Sequence, residues 1–228
     1  MDFDKVQWMS IEIVFLSAFM ILTGYLLYRI RRAYQLAYIE NYRFRHSIGR
    51  KVQDHYPHLS DEQVQLVLEG LREYFYICKM ARRRVVSMPS QVVDVAWHEF
   101  ILFTRPYEKF CKKGLGRFLH HTPTEAMSSP TLAQEGIKRA WRLSCAKHSI
   151  DPSRPAELPL LFSIDKELNI EDGFFYSRNC KLSSYGGRGN DYCAAHIGCA
   201  SGCSGSTGGC GGFFGDSDGG SSGCGGGD

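Results

Sequence analysis

Charge is nearly missing from one stretch of this sequence, and positive charge from another. The 20 residues from Met9 to Tyr28, MSIEIVFLSAFMILTGYLLY, contain a single charged side chain, Glu12. So little charge excludes an ordinary solvated helix, and at about 1.5 Å per residue the run is long enough to cross the roughly 30 Å hydrocarbon layer of a bilayer. We read it as one transmembrane helix. A cleavable leader lacks its own marks: Asp2, Asp4 and Lys5 stand where a basic segment belongs, and no A-x-A-like site follows. Beyond Arg188 there is no Lys or Arg at all, whereas residues 29–55 hold seven against two acids, so the net charge of +3 hides an uneven distribution. Zinc-finger, RRM and KH patterns are also missing, which leaves this basic run without the setting of a nucleic-acid binder; nucleic acid is not an expected partner. Strand-like alternation is lacking throughout, so the expected class is all-α.

What remains divides the chain into a short N-terminal segment (1–8), the transmembrane helix (9–28), a basic juxtamembrane helix (29–58), an α-helical domain (59–180) and a tail (181–228) dominated by Gly, Ser and Cys. Arg29, Arg31 and Arg32 follow the span directly, against Lys5 and the terminal amine before it, and the positive-inside rule places the domain in the cytoplasm. Residues 9–32 are expected to meet membrane lipids. Residues 33–55 are expected to continue the anchor as one helix.

Ser60-Asp61-Glu62-Gln63 is a capping-box pattern, and a helix with a wide apolar face follows it to about Met80. After Pro89 a second helix carries Val92, Val93, Ala96, Trp97 and Ile101, with so little polar surface that it is expected to be the most central one. Pro106 marks the next helix start, Gly114 and Gly116 its end, and His120-His121 follows. Ser129-Pro130 opens a helix of about 18 residues, an N-cap with Pro at the first helical position. Residues 160–168 supply a last short helix.

The run VVDVAWHEFILFTRPYEKFC, then GRFLHHTP and later LPLLFSIDKELNIEDG, resembles bacterial members of the glycine-rich domain-containing-protein-like family, in which a helical domain bears a D-x-x-W-H motif and a Gly/Cys-rich tail often follows. The likeness covers roughly residues 60–175. It implies a bacterial protein of helical fold and carries no activity with it; joined to the span and its flanking charges, the expected location is the bacterial inner membrane. Where plant relatives often have a second His two positions after the first, this chain has Phe100.

Asp94 or Glu99, His98 and either His120 or His121 are ligand types suited to Zn²⁺ or another divalent ion, and Asp94 and His98 share a helix face. His98-Glu99 invites comparison with H-E-x-x-H, but the position of the second His is held by Leu102, so the zincin pattern fails. The competing reading makes His98 a core residue bonded to Asp94. Cys111 is likewise read as core rather than nucleophile, since no thiol-enzyme signature surrounds it. In the tail, Cys193, His196, Cys199 and Cys203 are spaced closely enough for one tetrahedral site, although the spacing matches no common zinc module and composition predicts disorder. The leading expectation is a single-pass, membrane-anchored binding or scaffolding protein with an unidentified protein partner, and not an enzyme. The alternative is a metal-binding protein or metal-dependent enzyme using Asp94, His98 and His121, with zinc as the cofactor.

Overall fold

The computed structural model describes residues 3–121, 130–178, 191–193 and 197, all within one compact unit, Met1–Gly198. The architecture is all-α. Its elements are α1 (Phe3–Glu40), α2 (His46–His55), α3 (Asp61–Met80), α4 (Gln91–Leu102), α5 (Thr104–Phe110), a π-helical turn (Cys111–Leu115), α6 (Pro130–Lys147) and α7 (Leu160–Glu167). The strand content among the described residues is one parallel pair of three residues each, β1 (Phe175–Ser177) with β2 (Asp191–Cys193), Phe175 lying opposite Asp191. β2 falls inside the stretch that composition alone predicts to be structureless. His196, Cys199 and Cys203 lie outside the described residues.

α1 is long and apolar enough to cross a membrane. Phe15, Phe19, Met20 and Ile21 are each at least 65% exposed, so among the described residues no protein surface covers this part of the helix. Further along, the same helix enters the domain: Gln35 and Ile39 are buried. The π turn approaches α1 so closely at Gly114 that an added Cβ would stand 2.8 Å from Ile39 Cγ1.

The single helix expected over 33–55 is instead two, broken at residues 41–45. Tyr42 and Phe44 explain the break, because both turn into the core against Phe100, with ring centroids 5.7 and 5.2 Å away. Arg72 Nε donates to the freed Tyr42 carbonyl at 3.0 Å, so the interruption leaves that backbone acceptor paired.

α3 begins as its capping box predicts. The Gln63 amide donates to Ser60 Oγ at 3.3 Å, and the Ser60 amide donates to Gln63 Oε1 at 2.8 Å. It ends at Met80, and it packs against α1, α2, α4, α6, α7 and the π turn. The central helix is therefore α3 rather than α4. The reason is geometric: α3 is buried around much of its circumference, whereas α4 presents Asp94, His98 and Leu102 outward. Between them lies an aromatic cluster in which Phe75, Phe100 and Phe110 are almost wholly buried, each worth about 1.5–3 kcal/mol of transfer free energy.

The start of α4 is fixed by Asp165 of α7. Its carboxylate accepts from Ser90 Oγ at 2.6 Å, from the Gln91 and Val92 amides at 2.7 and 3.3 Å, and from the Phe174 amide at 2.9 Å. Negative charge at a helix N-terminus is favourable, and here it also ties α7 to the helix that bears the candidate site.

Candidate metal centre

α4 and the segment after the π turn bring three ligand types together. Asp94 and His98 are one helical turn apart on α4, with His98 Nδ1 3.6 Å from Asp94 Oδ2. The third member comes from sequence 23 residues beyond His98: His121 Nε2 lies 3.0 Å from His98 Nε2 and 3.4 Å from Asp94 Oδ1. His98, His121 and Asp94 each offer one ligand atom, and these atoms lie within 4.8 Å of one another.

The path of the backbone explains why His121 joins the group. Gly116 has φ 75°, a left-handed conformation that suits glycine, and turns the chain out of the π turn toward α4. Tyr107 then holds the returning strand of chain: its hydroxyl donates to the Leu119 carbonyl and accepts from Trp97 Nε1 at 3.2 Å. Trp97 also forms one wall, its ring centroid 4.7 Å from that of His121. Tyr107 and Trp97 are thus the supports of the site, and neither was singled out for that role by spacing. The sequence signal was present only as two buried aromatics with polar ends, residues that need a hydrogen-bond partner when enclosed.

His120 points elsewhere, its ring 4.7 Å from Phe118, and Glu99 is not in the group. The side chains of Asp94 and His121 are 21% and 19% exposed and that of His98 is 49%, which makes a rim site open on one side rather than a tight core contact.

One atom stands out electrostatically. Asp94 Oδ1 is buried and, among the described residues, accepts no hydrogen bond. A buried carboxylate oxygen without a donor is costly, and two imidazole nitrogens 3.0 Å apart require that one carry a proton for the other, unless a cation sits between them. Tetrahedral zinc with bonds of about 2.0–2.1 Å holds its ligand atoms about 3.3–3.5 Å apart; the His121–Asp94 separation of 3.4 Å matches this, and His98, whose Nδ1 faces Asp94 and whose Nε2 faces His121, would turn to offer one nitrogen to the ion.

A second buried acid has structural partners. Glu73, 2% exposed, receives Ser144 Oγ and sits 2.7 Å from His148 Nε2, joining α3 to α6. The acid stands on a helix face otherwise lined by Gly70 and Ile77, and that misfit is the signal sequence reading passed over. Cys111 is fully buried and burial pushes its thiol upward, which leaves no nucleophile there.

Fold and cluster together define an all-α domain behind an apolar helix, with two imidazoles and a carboxylate converging at the edge of its core. The chain belongs to the UCP032817-like family, whose sequence model matches residues 34–197, from the domain-facing part of α1 through β2. No curated protein and no solved structure matches it.

Proposed function

We propose that this is a membrane-anchored helical protein whose domain binds a divalent transition-metal ion, zinc first among them, through Asp94, His98 and His121. The observation that carries this reading is Asp94 Oδ1, buried without a hydrogen bond and 3.4 Å from an imidazole nitrogen that itself faces a second one. A cation supplies the partner that Asp94 Oδ1 lacks and replaces the proton shared between the two imidazoles. Two neutral nitrogens and one anionic oxygen leave an open coordination position on the His98 side, as in sites that hold water or a small ligand on the metal. The tail residues Cys193, His196, Cys199 and Cys203 make a second, separate candidate by their spacing alone.

The anchored topology belongs to the same proposal: residues 9–28 span the bilayer, residues 29–58 lie next to it, residues 59–180 form the domain and 181–228 the tail. Arg29, Arg31 and Arg32 put the domain on the cytoplasmic side of a bacterial inner membrane, and kinship to the glycine-rich family that the D-x-x-W-H run resembles fits this arrangement.

Metal analysis of the full-length chain purified in detergent tests it. One equivalent of metal is expected, lost in His98→Ala and in His121→Ala while helicity is kept. A ligand at a hundred times its dissociation constant stabilises by about 2.7 kcal/mol, so zinc should raise the melting temperature of the wild-type chain and leave the two variants unmoved. A metal-free domain indifferent to zinc would sink the reading in favour of a binding or scaffolding module.

A further inference from the structure

The folded domain places a second set of cations at the level where α1 leaves its apolar stretch. Arg32 Nη2 donates to Met80 Sδ at 2.9 Å, and Lys79 Nζ donates to Gln35 Oε1 at 2.6 Å and to the Leu115 carbonyl at 3.0 Å. The C-terminal end of α3 is thereby fixed beside Arg32. Immediately after it come Arg82, Arg83 and Arg84, all exposed, with Arg82 in a left-handed conformation at φ 60°. Arg117 bonds the Arg82 carbonyl through Nε and Nη2 at 3.1 and 2.9 Å, which brings the segment after the π turn to the same place.

Three features of this junction point to a single kind of partner. The first is depth. Arg32 is four residues beyond Tyr28, about 6 Å along a helix, and the headgroup layer on each side of the hydrocarbon is about 5–7 Å thick. The second is charge: Arg82, Arg83 and Arg84 take part in none of the described ion pairs, although Arg139, paired with Glu135, bonds the adjacent Val85 carbonyl, and the positive charge of Lys79 is disfavoured by its burial and then by Arg31, Arg32 and Arg117. The third is apolar exposure. Val85 and Phe118, next in sequence to Arg84 and Arg117, are 44% and 43% exposed, and few large apolar side chains outside the α1 stretch are exposed to that degree.

Resting on the anchored reading above, we propose that Arg31, Arg32, the Arg82–Arg84 turn and Arg117 form a docking surface for anionic phospholipid headgroups, into which Val85 and Phe118 insert. The guanidinium groups match phosphate by paired hydrogen bonds, and the two apolar side chains suit the boundary between headgroups and acyl chains. The domain is then held against the bilayer by two contacts, the helix and this face.

Amide hydrogen exchange of the full-length chain in vesicles tests the surface. In phosphatidylcholine mixed with phosphatidylglycerol, exchange over residues 81–86 and 116–120 should slow several-fold relative to phosphatidylcholine alone, and recover at high salt. The double variant Arg83→Glu/Arg84→Glu should lose this lipid dependence with α4 exchange unchanged, whereas Arg83→Lys/Arg84→Lys should keep it. Equal exchange in the two lipids overturns the proposal. So does equal slowing in phosphatidylcholine on adding inorganic phosphate or a short RNA, since either would assign the patch to a soluble anion. Alkaline carbonate separates the two readings: release of the chain from vesicles defeats the anchor itself, while a retained chain with a lipid-indifferent turn defeats only the docking surface.

Discussion

Cys78 and Cys145 are buried thiols pushed up to about 12 by desolvation, and Cys111 is raised by the same cause. At neutral pH all three stay protonated, and a thiol is a poor nucleophile. Iodoacetamide is therefore expected to leave them unmodified in the native chain and to label them after denaturation, as peptide mass mapping would read; rapid native labelling of Cys111 would reopen a thiol chemistry. Tyr107 is a residue of another kind, acting on the site through His121 rather than touching an ion. Tyr107→Phe leaves the Leu119 carbonyl and Trp97 Nε1 without their partner, at a cost of about 2 kcal/mol in stability, and should weaken zinc binding without abolishing it. Calorimetric titration beside a melting curve checks both, and an unchanged affinity would show that the hydroxyl does not position His121. At this scale the sequence was legible where candidate ligands share one helix: the pairing of Asp94 and His98 follows from four-residue spacing alone. His121 rather than His120 is likewise the expected third ligand, and what brings His121 in is the φ of Gly116 and a hydrogen bond from Tyr107, neither of which has a local pattern.

At the scale of elements, what holds the site is the way the helices are pinned end to side. Asp165 binds the first amides of α4, and burial raises its carboxyl above the ordinary 3.8. Ionising it is harder in the folded chain than in the unfolded, so its contribution to stability is greatest below 3.8 and declines as pH rises through the raised value. Asp165→Asn removes that titration and substitutes an amide group for one acceptor oxygen. The wild-type chain should be the more stable by about 2–4 kcal/mol near neutrality, and the gap should widen as the pH is lowered through the same window, as urea unfolding at several pH values would show. Gly136 supplies a second pin, since an added Cβ would stand 2.1 Å from Ser87 Oγ and 2.9 Å from the Ser87 amide nitrogen. Gly136→Ala must push α6 off the loop before α4 and is expected to cost about 1–3 kcal/mol, a drop in melting temperature that a thermal scan would detect. The capping box of α3 and the Pro130 start of α6 were readable because their signals are local. The break at 41–45 was not, since Tyr42 and Phe44 leave the helix for rings that lie far along the chain.

For the molecule as a whole, fold class was the most legible feature, because an apolar 20-residue stretch with one charge and a series of helical apolar faces both follow from composition in order. The rank of the helices was harder to see. α4 has the greater density of apolar residues, yet α3 is the one surrounded, and enclosure depends on which neighbours arrive from distant sequence. Anchoring makes its own prediction at this scale. The full-length chain should stay with membranes through high salt and alkaline carbonate and be released by detergent, whereas release by salt alone would reduce α1 to a peripheral contact.

The π turn at Cys111–Leu115 sets a counting rule for the chain. A π turn accommodates one residue more than the α-helix it continues, and each residue of an α-helix turns the path by about 100°. Deleting Lys112 or Lys113, both exposed and a few residues ahead of His121, would let the turn relax to α geometry and swing the segment from Gly116 to His121 round by about that angle, with α6 and α7 held in place by their own contacts to α3 and α4. The aromatic core before the turn would survive, and His121 would leave Asp94 and His98. The number of residues between the two histidines, as much as their identity, is therefore part of what makes the site, and a single deletion there should separate folding from metal binding.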